Sequence, residues 1–192
     1  MWDIRPVTGD TLDDLADLFG SNKTTTGCWC MWFITPDKVT RAGWSGGNRR
    51  AFEAMARESP VPVGLLAYDE AGVPVAWAAL GPRSRFQRAI SPRSTMLKER
   101  DPSEDDDVWF VPCFFVRVGH RRRGATRALL DAAVELAAEH GATAVEGFPL
   151  AADNPTKLDG YLGREQVFAD TGFTRIATPT PKRVVMRRDV ER

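Results

Sequence analysis

The sequence predicts an α/β fold, and three features carry that expectation. Val63–Tyr68 and Val73–Leu80 are apolar runs flanking the turn Asp69-Glu70-Ala71-Gly72, the pattern of an antiparallel hairpin. Val108–Val118 is a long run rich in Val, Phe and Trp, suited to a strand buried on both faces. From Arg123 to His140, the residues Ala128, Leu129, Ala132, Ala133, Leu136 and Ala137 recur at helical spacing, and Gly141 supplies the stop. Ala142–Phe148 then reads as the next strand, reached by a right-handed crossover and therefore parallel to the strand before the helix.

The remaining elements follow in order. Trp2–Val7 alternates as a first strand, and a helix follows with Thr11 as its N-cap and apolar residues at Leu12, Leu15, Leu18 and Phe19. Gly27–Phe33 concentrates two cysteines with Trp29, Met31, Trp32 and Phe33, after which Pro36 and Asp37 can open another helix. Gly43–Gly47 breaks the chain, and Asn48 is placed to cap a helix through Ala51–Arg57 that ends before Pro60. Gly81–Asp107 is polar and closes on the acidic run Glu104–Asp107, so it reads as a solvated connection with room for one short helix. Pro112 has no amide to donate, so the strand around it bulges or loses a neighbour there. A short helix over Arg164–Thr171 and a hairpin of Phe173–Ile176 with Arg183–Arg187 close the chain.

A chain of 192 residues that is 43% hydrophobic is sized for one core, so a single domain spanning residues 1–192 is expected. Basic and acidic residues balance at 26 each, which leaves no global field to draw nucleic acid or an anionic membrane. No apolar run approaches the roughly 20 residues that span a bilayer, and the first residues lack a signal-peptide core. A cytoplasmic protein without a membrane partner is expected. Three cysteines in such a chain are expected to be reduced thiols.

The most informative local pattern is the turn Arg121-Arg122-Arg123-Gly124-Ala125-Thr126, between the end of a buried strand and the start of a helix. Unpaired amides at a helix start point outward at the positive end of its dipole, which makes an anion site. The turn has neither the Gly-Lys-Ser/Thr of a Walker A loop nor the repeated glycines of a dinucleotide fingerprint.

With Phe114-Phe115-Val116-Arg117-Val118 before it and Arg127-Ala128-Leu129-Leu130 after it, this turn resembles the Arg/Gln-x-x-Gly-x-Gly/Ala signature of the GNAT superfamily of N-acyltransferases. Thr126 stands where the family usually has a smaller residue. Gly172-Phe173 is similar to the Gly-Phe that opens the family's sixth strand, and the order of predicted elements follows the family throughout the chain. Several segments, Cys28–Phe33 and Tyr161-Leu162-Gly163 among them, resemble a less characterised bacterial branch of the superfamily. The resemblance implies a mixed, mostly antiparallel sheet of six or seven strands, flanked by helices, whose parallel fourth and fifth strands splay apart.

In family terms, the backbone of Phe114, Phe115 and Val116 would pair with the pantetheine arm of acetyl-CoA or another acyl-CoA. The amides from Arg122 to Thr126, with Arg121, Arg123, Gly124 and Ala125 in the same turn, would hold its pyrophosphate. Asn154 matches an asparagine that often touches the coenzyme. The implied reaction is transfer of acetyl to a primary amine of a small molecule by direct attack in a ternary complex, without a metal, in a monomer or homodimer. A binding-only acyl-CoA sensor on the same fold is the alternative, because the family's usual acid, a tyrosine, is replaced here by Phe168. Tyr161 is then the candidate acid, or a packing residue at a helix start. Glu146, on the fifth strand near the splay, is the candidate base acting through water, or a salt-bridge partner; Asp107 is a weaker candidate. Trp29, Trp32 and Phe33 form an aromatic wall for the acceptor or pack in the core. Arg83 binds an acidic group of the acceptor or is a solvated loop residue. His120 assists phosphate binding or does little. Cys28, Cys30 and Cys113 lack a zinc-site spacing, and Cys113 lacks an evident base to make it a nucleophile, so core packing is favoured for it.

Overall fold

The computed structural model describes residues 2–153 and 160–191. Its strands are β1 (Asp3–Pro6), β2 (Gly64–Tyr68), β3 (Pro74–Ala79), β4 (Gly81–Pro82), β5 (Val108–Val111), β6 (Phe114–Val116), β7 (Ala144–Gly147), β8 (Thr174–Thr180) and β9 (Arg183–Asp189). The helices are α1 (Leu12–Gly20), α2 (Lys23–Cys28), α3 (Asp37–Ala42), α4 (Gly47–Glu58), α5 (Gln87–Ile90), α6 (Ala125–Glu139) and α7 (Glu165–Ala169).

The strands form two hydrogen-bonded sheets. One runs β1-β2-β3-β6, and the other runs β4-β5-β7-β9-β8. Every pairing is antiparallel except β5 with β7, where Val108 lies opposite Ala144 and Val111 opposite Gly147. The single strand expected over Val108–Val118 is thus two. Val108–Val111 belongs to the second sheet, while Phe114–Val116 crosses to the first and pairs with β3. Pro112, which cannot donate to a ladder, stands at the break, and the Cys113 carbonyl already accepts from the amide of Ala79 at 2.9 Å.

Period-2 alternation along the hairpin distributes its side chains between two cores. Leu65 and Ala67 face α6, where they join Leu129, Leu130 and Ala133. Leu66, Tyr68 and Trp77 face α1 and α4, where they join Leu15, Phe19 and Phe52. A third cluster of Phe33, Phe86, Leu97, Phe110, Phe148 and Val185 covers the same side of the second sheet. The segment 81–107 is therefore not a solvated connection. It contributes β4, a 3-10 turn over Arg83–Arg85, α5 and the buried Phe86, Ala89 and Leu97.

Two capping expectations are corrected. The Thr11 hydroxyl accepts from the Thr8 amide at 3.2 Å in a reciprocal capping box, so the cap serves the 3-10 turn ahead of α1. Asn48 lies inside α4 rather than at its cap, and its side-chain amide donates to the carbonyls of Gly27 (2.8 Å) and Thr40 (2.9 Å). Those bonds fasten the ends of α2 and α3 together. The short helix α2 itself is not legible in the sequence, since Lys-Thr-Thr-Thr-Gly-Cys has no apolar period; Asn22 caps it through the amides of Thr24 and Thr25.

Candidate active site

Where the chain leaves β5 for β6, the two sheets separate and a groove of about 470 Å³ opens between β6 and α7. In the antiparallel ladder with β3, Cys113 and Arg117 spend their backbone groups on Ala79 and Val75. Alternation then turns those of Phe114 and Val116 the other way, into the groove. The Arg121 guanidinium donates to the Val116 carbonyl at 3.1 Å. Farther along, Arg122 has a left-handed backbone (φ 61°), and Gly124, the residue before α6, has φ 84°. No side chain caps α6, so the first amides of a 15-residue helix face outward beside Arg121 and Arg122. Positive φ at Gly124 explains the glycine, because an L side chain there would be strained.

Of the residues singled out in the sequence, Phe114, Phe115, Val116, Arg121, Arg122, Thr126 and Tyr161 line this one groove. Gly124 and Ala125 supply backbone at its helical end. Arg123 turns elsewhere, lining a polar hollow with Trp2, Asp69 and His120, whose Nε2 is 3.4 Å from Asp69. Asn154 lies outside the described residues.

A second cavity, of about 690 Å³, lies on the α2–α3 side. Trp32, Phe33, Trp44, Phe148 and Tyr161 give it aromatic walls, and Met96 and Leu162 add apolar ones. Tyr161 lines both this cavity and the groove, its ring stacked nearly parallel on Phe115 with centroids 6.4 Å apart. The candidate acid therefore stands where the two spaces meet. Trp29 is not part of that wall: it is 3% exposed and packs against Phe19 and Phe52. Trp44 escapes sequence reasoning, because an isolated tryptophan within Gly43–Gly47 carries no periodic signal.

Glu146 and Arg83 are brought together, but not in this cavity. Arg83 is fully buried; its Nη1 lies 3.1 Å from Glu146, its Nε 3.2 Å from Asp105, and its Nη2 donates to the Asp101 carbonyl at 2.8 Å. Glu146, 2% exposed, takes a second cation from Arg187 at 3.3 Å. Each of its two oxygens is engaged by a guanidinium, the arrangement of a structural ion pair. The expectation of a solvated or acceptor-binding Arg83 is corrected for the same reason: it reaches no open space. Asp107 is exposed, and its carbonyl accepts from the amide of Thr143.

All three cysteines line the second cavity. Burial pushes the Cys28 thiol up to about 11. A hydrogen bond with Cys113 and then burial raise Cys30 well above the usual thiol range, and the Trp77 indole donates to its sulfur at 3.1 Å. Among the described residues, no three His, Cys, Asp or Glu side chains converge as a metal-ligand set. No described helix is long and apolar enough to cross a membrane.

The acetyltransferase (GNAT) family matches residues 28–157, and the chain belongs to that family. No curated protein matches it significantly. Among solved structures it is similar to a putative phosphinothricin N-acetyltransferase, at 16% identity and TM-score 0.55 over the whole of both chains. It is also similar to the PaiA N-acetyltransferase of Thermoplasma acidophilum in complex with coenzyme A, at 11% identity and TM-score 0.56 over 98% of this chain and 99% of that one. A third similar structure is yncA of Salmonella typhimurium, a putative acetyltransferase with its cofactor acetyl-CoA, at 15% identity and TM-score 0.54 over 99% and 94%. At these identities the likeness shows the fold.

Proposed function

We propose that this protein transfers an acyl group, acetyl from acetyl-CoA, to a primary amine of a small molecule by direct attack in a ternary complex. The observation that carries this reading is Tyr161, a single side chain that walls both the groove and the aromatic cavity. Two ligands, one in each space, would meet at it. Coenzyme in the groove is supported by its two ends, the outward backbone of Phe114 and Val116 and the uncapped start of α6 beside Arg121 and Arg122. A pantetheine amide can add to the first as an extra strand, and a diphosphate suits the second. The solved structures with coenzyme A and acetyl-CoA that share this fold add to that support. By the family resemblance, Asn154 is a further coenzyme contact.

When bound, the acyl-CoA supplies an electrophilic thioester carbonyl, and the reaction exchanges the C–S bond for a C–N bond, giving an amide and free thiol. The role of the chain is to align the amine and thioester and to manage two protons. Tyr161 donates the proton that the departing sulfur takes up. With Glu146 engaged by Arg83 and Arg187, the base is not that carboxylate; the aromatic cavity instead favours the neutral amine by desolvating its ammonium form, and water at the open mouth carries the proton away. The rate should therefore follow the pKa of the acceptor amine.

The test is incubation with acetyl-CoA and a panel of amines while released thiol is followed. Turnover on at least one small amine is expected. Tight coenzyme binding without turnover on any amine would instead identify a binding-only module, and failure to bind coenzyme would refute the reading.

A further inference from the structure

The aromatic cavity has a feature that packing alone does not require. Trp44 is 43% exposed, yet it is held in a fixed seat on α2. A Cβ at Gly27 would fall 2.1 Å from the Trp44 Nε1 and 2.2 Å from Cε2, so the indole lies directly on the backbone of the helix. Asn48 locks that seat, bonding the Gly27 carbonyl on one side and the Thr40 carbonyl on the other. A large apolar ring is thus positioned rigidly and left facing a cavity whose other walls include Trp32, Phe33 and Phe148.

The charges around the cavity narrow the occupant further. Among the described residues, its charged lining is Arg41, paired with Asp37 at 2.6 Å, and Arg183, whose guanidinium carbon lies 5.9 Å from the Phe148 ring centre. None of the described lining residues is a carboxylate. A second ammonium on the acceptor would be stripped of water there without a counter-ion from these walls, which is costly. A flat ring would instead find faces and edges to pack on, and a volume of about 690 Å³ holds a bicyclic amine with its side chain.

From this we infer that the acceptor is a primary amine carried on a flat aromatic body with no second cationic centre, and that Trp44, seated on Gly27, is the wall that selects it. The inference rests on the acyltransferase reading above and names its substrate class.

The experiment compares tryptamine and tyramine with spermidine and an aminoglycoside, in the wild type and in Gly27→Ala, Trp44→Ala and Trp44→Phe. Acceptor binding to the coenzyme A complex is measured by calorimetry alongside steady-state kinetics. The expected result is a kcat/KM for the arylalkylamines at least about thirtyfold above that for the polycations. Gly27→Ala and Trp44→Ala should each raise KM about tenfold with kcat and coenzyme affinity little changed, and Trp44→Phe should restore most of the loss. Spermidine turned over as well as tryptamine would overturn the substrate class while leaving acyl transfer standing. An unchanged KM in folded Trp44→Ala would overturn the role of Trp44. If no amine is turned over but tryptamine still binds in a Trp44-dependent way, the class is upheld and the acyltransferase reading fails; if tryptamine neither reacts nor binds, the inference falls.

Discussion

The groove and the aromatic cavity share one tyrosine but are built from different materials. The groove is made mostly of backbone: a sheet edge at Phe114 and Val116, and the amides of a helix start after Gly124. The cavity is made of side chains brought from well-separated stretches, from Thr24 to Arg183. A backbone site tolerates changes of side chain and is destroyed by changes of conformation. A side-chain site behaves in the opposite way, and it can be retuned without disturbing the groove.

Four measurements would sharpen or break that contrast. The largest effect is expected from Glu146→Gln, which leaves Arg83, wholly buried, without its closest carboxylate. Breaking such a pair costs ~3–5 kcal/mol, read as a loss in urea or thermal unfolding. Because the same ion cluster holds the 81–107 segment that delivers Met96 to the cavity, acceptor affinity should fall at temperatures where the protein stays folded, with coenzyme affinity intact. Wild-type stability in this variant would show that the ion pair is replaceable.

Tyr161→Phe comes next. It keeps the ring on Phe115 but removes the proposed acid, so kcat should drop about a hundredfold while the dissociation constant for acetyl-CoA stays put. An unaltered kcat would assign Tyr161 to packing. In the groove, Gly124→Trp places a bulky L residue at φ 84° and should weaken coenzyme binding about thirtyfold, whereas Arg122→Ala should weaken it only a few-fold. The reverse ranking, measured by calorimetry, would mean that side chains rather than amides carry the anion. The smallest effect concerns the thiols. With the Cys28 pKa near 11, its thiolate fraction at pH 8 is about one in a thousand, so alkylation by iodoacetamide should be slow and should rise with pH up to about 11. Rapid labelling at pH 7, located by mass spectrometry, would contradict the burial that raises it.

The same contrast explains what is legible in the amino-acid sequence. The hairpin, the long amphipathic helix and the basic turn are local in the chain, and their chemistry repeats or clusters within a few residues, so the helical end of the groove can be read from residue order, whereas the edge at Phe114–Val116 is expected only from the family resemblance. Pro112 even marks the position of the split, although not that the strand beyond it crosses to another sheet. The cavity is not legible in this way, because each contributor taken alone looks like something else. Trp29 and Trp32 are three residues apart in one aromatic cluster, yet the first is core and the second is wall. Arg83 and Glu146, separated by 63 positions, each suggest a role in chemistry that their pairing removes. The opposition of an acidic run at 104–107 to lone arginines is the one local hint of that pairing. Gly27 cannot be singled out at all, since its importance lies in an atom it lacks beside a ring 17 positions further along the chain.

Dividing the sheet at Pro112 also places an unfilled strand edge inside the molecule. Exposed edges are templates for another chain to pair with, and proteins normally blunt them. Here the edge is only three residues long, and Arg121 donates to the Val116 carbonyl, so the chain carries a partial plug of its own. A ligand that completes the edge would act as a shield against self-association as well as a reactant. Coenzyme-free protein should accordingly scatter more light on mild heating than protein saturated with coenzyme A, and equal scattering would show that the short, plugged edge is protection enough.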